Sequence, residues 1–246
     1  MARKKGGGGG RQRARQRQQY DELDKYPVMP PHAFARIVRD KQTLNIIYQI
    51  IEPPLTKKEQ EQRDEIMDIF IRSLTANIEE IDSNPEAYVR TAMDKVIKSY
   101  SMKINKKSKS KLFYYLRRDL IGYGKMDVLM NDVNVEDISL DGTNVPIFAY
   151  HRKFESVETT CVWETDEELE SYVIKLAQRC GKHISVAEPL LDATLMDGSR
   201  IVMKLGHEIS TRGSAFCIRR FKDDPFSPAD IVAFRTMSSL MVAYLW

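Results

Sequence analysis

The chain is poor in the groups that most often carry chemistry or cross a bilayer. It has three cysteines in 246 residues, Cys161, Cys180 and Cys217. None belongs to a C-x-x-C pair and the number is odd, so neither a zinc site nor a disulfide framework is written into the spacing. A reducing cytosol fits, with the three thiols as small core hydrophobes. The four histidines, His32, His151, His183 and His207, are scattered without an H-x-x-x-H pair. They read as ordinary surface or core residues rather than metal ligands. Ser185, Ser199, Ser210 and Ser214 sit in no nucleophile-elbow pattern. No run approaches the roughly 20 apolar residues of a membrane-spanning helix. The basic N-terminus is not followed by the apolar core of a secretory signal.

What is present is unevenly distributed. The formal net charge is +3, but residues 1–19 hold seven basic groups and no acid: Arg3, Lys4, Lys5, Arg11, Arg13, Arg15 and Arg17. The remaining body is therefore mildly acidic. A second basic block, residues 98–118, has eight Lys/Arg and no acid. The tail, with five consecutive glycines and an Arg/Gln run, cannot bury enough apolar surface to offset chain ordering and reads as disordered.

From residue 31 to about 118 the pattern reads as helical. Phe34, Ile37, Val38, Ile47, Tyr48 and Ile51 recur at helix spacing, and Pro53-Pro54 ends that segment. Thr56 with Glu59 three residues on forms a capping box. The helix it opens presents Ile66, Ile69, Phe70, Leu74, Ile78 and Ile81. Asn84-Pro85 marks another start, with Tyr88, Ala92, Val96 and Tyr100 as its stripe. Residues 103–111 read as a Ser/Lys-rich connector. Residues 112–120 interleave Phe113, Tyr114 and Tyr115 with Arg117-Arg118, which suits either one amphipathic helix or a platform for single-stranded nucleic acid.

Beyond Gly122 the period changes from helical to alternating. Residues 135–140, 145–150 and 157–163 are strand candidates in an antiparallel meander, with Asp141-Gly142 as a turn. Thr165, Glu168 and Gly181 bound a helix whose apolar face includes Leu169, Val173, Leu176 and Cys180, with Trp163 just before it as core. Two further strands, residues 200–205 and 215–221, follow. The expected class is α+β, a sheet with one face covered by a helix. Ser227, Pro228 and Asp230 form a last capping box. The chain stops inside an apolar helical pattern, as a cut chain would.

Each of the last two strands carries arginine where it meets a turn: Arg200 in one, Arg219-Arg220 in the other. Guanidinium groups so placed are preorganised to hold a phosphate or carboxylate, or to make surface ion pairs. Strand alternation puts Phe216, Ile218 and Arg220 on one face and Cys217, Arg219 and Phe221 on the other. Asp192 and Asp197 flank a turn, and Asp197-Gly198 suits the turn itself.

Four phrases resemble the type II/IV secretion ATPase superfamily, and its archaeal pilus and archaellum branch most closely. They are GYGKMDVLMNDVNVEDISLDGTNVPIFAYH (residues 122–151), PLLDATLMDGSRI (189–201), GSAFCIRRF (213–221) and AYLW (243–246). The resemblance implies a two-lobed cytoplasmic motor, peripheral to the membrane, that forms homo-hexamers on a polytopic membrane platform protein. An N-terminal PAS-like lobe would supply arginines, here Arg200 and Arg219 or Arg220, to ATP and Mg²⁺ held by a RecA-like lobe. The resemblance covers about residues 120–246 and implies the α+β lobe (119–222), a linker (223–230) and the start of the RecA-like lobe (231–246); the residue patterns before it give a disordered basic tail (1–19) and a helical domain of about three helices (30–118).

The chain departs from that family in one respect. It contains no G-x-x-x-x-G-K-[ST], and without that cradle and its lysine nothing holds the β- and γ-phosphates and Mg²⁺. It is therefore expected not to hydrolyse ATP alone, and to be a fragment, a truncation or one part of a split gene with a companion chain. A non-catalytic docking module for a membrane platform protein, or a nucleic-acid-binding protein using the basic segments, are the alternatives.

Overall fold

Nine strands form one mixed sheet: β1 (Tyr20–Met29), β2 (Ala33–Asp40), β3 (Ile46–Ile51), β4 (Val135–Leu140), β5 (Pro146–His151), β6 (Glu155–Val162), β7 (Leu190–Thr194), β8 (Arg200–Lys204) and β9 (Ala215–Arg219). The computed structural model that shows them describes residues 19–73, 84–221 and 226–245. The strand order is β1-β2-β3-β6-β5-β4-β9-β8-β7. Neighbours run antiparallel except β3 and β6, which are parallel and share only Ile47↔Glu158 and Tyr48↔Thr159 in register. The helices are α1 (Lys57–Ser73), α2 (Pro85–Ser99), α3 (Lys106–Leu120), α4 (Asp127–Asn131), α5 (Asp166–Arg179), α6 (Pro228–Ala233) and α7 (Ser239–Leu245). The class is α+β, as expected. None of the described helices is long and apolar enough to cross a membrane.

The expected helical pattern over residues 31–53 is corrected to two strands, β2 and β3. Its apolar residues satisfy helix spacing and strand alternation equally well over so short a run. Ala33, Ala35 and Ile37 are fully buried and alternate with partly exposed Phe34 and Arg36. The β-branched run Ile46–Ile51 suits a pleated, half-buried surface. Two more strands, β1 and β7, lay outside the sequence reading. The connector at residues 103–111 is also corrected: from Lys106 it is already the first turns of α3, with Asn105 accepting from the Ser108 amide as N-cap. Tyr100 does not continue the α2 stripe but lies past its end, 58% exposed. The buried residues of α2 are Val89, Met93 and Val96. Leu74, Ile78, Ile81, the 1–18 tail, residues 222–225 and Trp246 lie outside the described residues.

The capping signals hold where they can be seen. Thr56 and Glu59 exchange both capping-box bonds, at 3.3 and 2.8 Å. Asn84 caps α2, with Pro85 in the first turn, and Ser227 with Asp230 closes the box at α6. Thr165 caps α5 by accepting from the Glu168 amide, while the Glu168 carboxylate pairs with Lys125 at 2.6 Å instead of turning back.

The main core lies on one side of the sheet. Ile138, Ile147, Ile201, Met203 and Ile218 from the strands meet Leu169, Val173, Leu176 and Ala177 of α5 and Leu129 of α4. Trp163 is 1% exposed and packs on Tyr172 and edge-on against Phe216. A second cluster, Ile66, Phe70, Val89, Met93, Val96, Leu112 and Leu116, joins α1, α2 and α3. Arg118 ties α3 to the end of β3 by two bonds to Glu52, at 2.9 and 2.8 Å. Tyr114 donates to Glu52 and Tyr115 to the Pro53 carbonyl. Both tyrosines are buried, and the partly exposed Phe113 ring is covered by Arg90 at 4.3 Å.

A buried carboxylate organises the junction of the strands. Asp132, 2% exposed at the end of α4, accepts from the hydroxyls of Tyr26 on β1 and Tyr48 on β3, at 2.6 and 2.7 Å, and from the Asn134 amide at 2.9 Å. His151 on β5 completes the group, its Nε2 lying 2.9 Å from the Tyr26 hydroxyl. Its Nδ1 accepts from the Lys153 amide, so the neutral ring donates from Nε2 to the Tyr26 oxygen, and the Tyr26 hydroxyl donates its own hydrogen bond to Asp132. Burial lowers the His151 pKa and favours that neutral form. Burial, followed by the Asp132 carboxylate, raises the pKa of both tyrosines.

Asp132→Ala leaves the buried Tyr48 hydroxyl and the half-buried Tyr26 hydroxyl without their acceptor, and it is expected to cost about 3 kcal/mol in urea unfolding. Tyr48→Phe removes one donor and is expected to cost roughly 1 kcal/mol. A loss below that for Asp132→Ala would show that the carboxylate does not hold the strands.

Candidate functional site

The turn before β8 sets the first arginine. Asp197 accepts from the Ser199 amide and from its hydroxyl, both at 3.0 Å, and Gly198 takes a φ of +84°. Such a φ favours glycine, and a Cβ there would stand 3.3 Å from Phe221 Cγ. The Ser199 hydroxyl, 1% exposed, also accepts from the Phe221 amide at 3.1 Å. The β7–β8 turn is thereby pinned to the chain just past β9. Asp197 thus positions Arg200 through Ser199.

The pinned register places Arg200 directly opposite Arg219. Thr194, Arg200, Arg219 and Asp137 form one row across β7, β8, β9 and β4. Their side chains share the face opposite the core, where the two arginines are 68% and 79% exposed. Like charges directly across a ladder repel, and each is met by an acid. Arg200 gives Nε and Nη2 to the two oxygens of Asp192 at 3.1 and 2.6 Å. Arg219 gives Nε to Asp137 at 3.0 Å. These bonds raise both arginine pKa values, and the bond from Arg200 lowers that of Asp192. Asp192 thus proves to be a direct partner of Arg200, a role that depends on strand pairing.

Arg220 sits elsewhere. It lies on the other face, and its Nη1 donates to the backbone carbonyls of Asp132 and of Val135, the latter at 2.8 Å. The structure brings Arg200 and Arg219 together and gives Arg220 to the strand junction. Cys217 shares the arginine face and is exposed, a correction to its reading as a core thiol, whereas Cys161 is buried.

The loop between β8 and β9 is laced to its surroundings. His207 meets Asp166, the first residue of α5, at 3.0 Å, and Thr143 donates to the other oxygen of that carboxylate at 2.8 Å. The Gly206 amide donates to Ser214. Gly142, at φ +109°, lets Arg212 approach so closely that a Cβ would stand 2.3 Å from its carbonyl oxygen. The Asp166 bond raises the His207 pKa, and bonds from Thr143 and then His207 lower that of Asp166.

Guanidinium groups on an open face are of the kind that suits an oxyanion. Both arginines face solvent, and exposed ion pairs with carboxylates of this kind contribute little to stability. No group of three His, Cys, Asp or Glu suited to a metal ion is found among the described residues.

No family model matches the chain. It is similar to three proteins of Methanocaldococcus jannaschii. It is 42% identical over 164 residues to uncharacterized protein MJ1288, covering 66% of this chain and 65% of that protein. It is 31% identical over 226 residues to uncharacterized protein MJ0900, covering 90% and 40%. It is 33% identical over 135 residues to uncharacterized protein MJ0781, covering 54% and 18%. The chain thus spans 65% of the length of the first relative and less than half of the other two. Among solved structures it has a likeness to the VirB11 ATPase of the Brucella suis type IV secretion system in complex with sulphate. The TM-score is 0.39 at 16% identity, over 50% of this chain and 36% of that chain.

The tie between His207 and Asp166 carries a pH dependence of definite sign. A histidine whose folded pKa is raised contributes fully below its ordinary value of about 6.5, and the contribution is lost as pH rises through the folded value. An NMR titration of His207 should give a midpoint above about 6.5, returning towards that value in Asp166→Asn. A midpoint at or below it in both proteins would remove the tie.

Proposed function

We propose that this chain is the N-terminal part of a motor ATPase of the type II/IV secretion superfamily, in its archaeal pilus and archaellum branch. Arg200 and Arg219 face the phosphates of ATP carried by a RecA-like lobe outside this chain. The observation that supports the reading best is their direct opposition across β8 and β9 on an exposed face, each held by a carboxylate that phosphate can displace. The four family-like phrases, in order along residues 122–246, support it from the sequence. The archaeal source of the three relatives agrees with the branch.

In this reading the two guanidinium groups neutralise charge that builds on the phosphate oxygens during hydrolysis, as arginine fingers do. The phosphate loop, Mg²⁺ and the water-activating acid belong to the other lobe, because the residues described here provide no such set. Assembly is as a homo-hexamer, on the cytoplasmic side of the membrane and against a polytopic platform protein. Arg220 holds the fold and does not meet nucleotide.

The test is to extend the coding sequence past Trp246, or to add the companion polypeptide bearing the phosphate loop, and to measure ATP turnover. Arg200→Ala and Arg219→Ala are each expected to lower turnover by about 10³-fold or more. Chain 1–246 alone should show none. Unchanged turnover in both variants, or an extension without a phosphate loop, would sink the reading.

A further inference from the structure

The start of α3 runs against helix electrostatics. Its first six residues hold four lysines, Lys106, Lys107, Lys109 and Lys111, and its first turn holds no acid. Positive charge at a helix N-terminus is unfavourable, so the stability of α3 does not account for this pattern. Lys109 and Lys111 are compensated, by Asp94 at 2.7 Å and by Glu59 at 3.4 Å. Lys106 and Lys107 are exposed and have no ion pair among the described residues.

Other exposed lysines lie where α1 begins and where α2 gives way to α3. Lys98 lies in the last turn of α2, and Lys103 on the short segment between α2 and α3. Lys58, at the start of α1, lines a hollow of about 230 Å³ together with Lys103, Ile104 and Asn105. Lys57 precedes it. All four are exposed, again without an ion pair among the described residues. The acid in their midst, Glu59, is 7% exposed and is drawn inward. The Ser108 hydroxyl at 2.6 Å, then the Thr56 amide, hold its pKa down at about 2. Six lysines and no arginine present compact point charges, suited to a diffuse array of phosphates rather than to bidentate recognition of one.

The apolar residues among these lysines indicate what carries the phosphates. Tyr100 is 58% exposed, and Met102 and Ile104 are half-buried, all within the segment between Lys98 and Lys106. A tyrosine flanked by lysines fits the headgroup level of a bilayer, where its ring is buried and its hydroxyl stays wet. Base stacking would need several aromatics facing out, and the neighbouring Tyr114 and Tyr115 face in. We infer that the surface formed by Lys57, Lys58, Lys98, Lys103, Lys106 and Lys107 around Tyr100 docks the chain on an anionic phospholipid membrane. Six lysines fall within the range of basic clusters that bind such surfaces. The inference does not rest on the motor reading: the surface lies apart from Arg200 and Arg219, and its test uses no nucleotide.

The test is co-sedimentation of the whole chain, basic tail included, with vesicles of phosphatidylcholine containing about 30 mol% phosphatidylglycerol. Vesicles of phosphatidylcholine alone and a mixed-sequence RNA duplex are the comparison arms. Binding is expected to the anionic vesicles only and to weaken as salt rises. The triple variant Lys103→Glu, Lys106→Glu, Lys107→Glu should lose on the order of 100-fold in vesicle partitioning. The same variant should melt at a higher temperature, because acids now stand at the helix start. That opposite movement separates lost docking from lost folding. Tyr100→Ala should weaken partitioning without changing its salt dependence. Absence of binding to anionic vesicles, binding unchanged in the triple variant (the tail acting instead), or tighter binding to the duplex would each overturn the inference.

Discussion

Asp132 is the group on which the arrangement of the sheet depends. It receives hydroxyls from Tyr26 on β1 and Tyr48 on β3, and through Tyr26 it reaches His151 on β5. Its own carbonyl accepts from Arg220, just beyond β9. Elements far apart in sequence therefore converge on one residue at the end of a five-residue helix. A carboxylate in that position is tolerable only because donors surround it, and the donors are in turn tolerable only because the carboxylate is there. The division of labour within Arg219-Arg220 follows. Alternation along β9 sends one guanidinium inward to this junction and leaves its neighbour on the open face.

The open face depends on a different economy. Two arginines opposite each other would separate if nothing held the register. The loop between β8 and β9 is too long to impose a register by turn geometry alone. The bond from Phe221 to Ser199, the close fit of Gly198 against Phe221, and the lacing of His207 to Asp166 do so from outside the ladder. Asp192 and Asp137 then keep the arginines extended and charged without enclosing them.

Much of this was legible in the sequence, and the reason is locality. Thr56 with Glu59, Asn84-Pro85 and Ser227 with Asp230 announce helix starts within a single turn, and they were read correctly. The alternation in residues 135–140 and the meander that follows rest on a period of two plus short turns. The 31–53 segment is ambiguous because six apolar residues in two short runs satisfy both periods, and the choice is made by the pairing of β2 with β1 and β3 and by the burial of Ala35, Ile37 and Tyr48 in the main core. β1 was hidden by its own charge: Asp21, Glu22, Asp24 and Lys25 sit on an edge strand, where charge guards against further pairing. Arg200 and Arg219 could be picked out by position. Their opposition, and the acids that meet them, depend on pairings that no spacing rule contains.

The parallel joint between β3 and β6, with its two register pairs, divides the sheet into a three-stranded and a six-stranded part. Every other boundary is an antiparallel zipper several residues long. A splice with so little overlap is where a mechanical load along the strands would concentrate, since few hydrogen bonds share the shear. The first three strands are held to the remainder less by ladder bonds than by packing, for Ala35, Ile37 and Tyr48 share one core with Leu129, Ile138 and Ile147. The tyrosine hydroxyls bridging that gap act as the rivets of the splice.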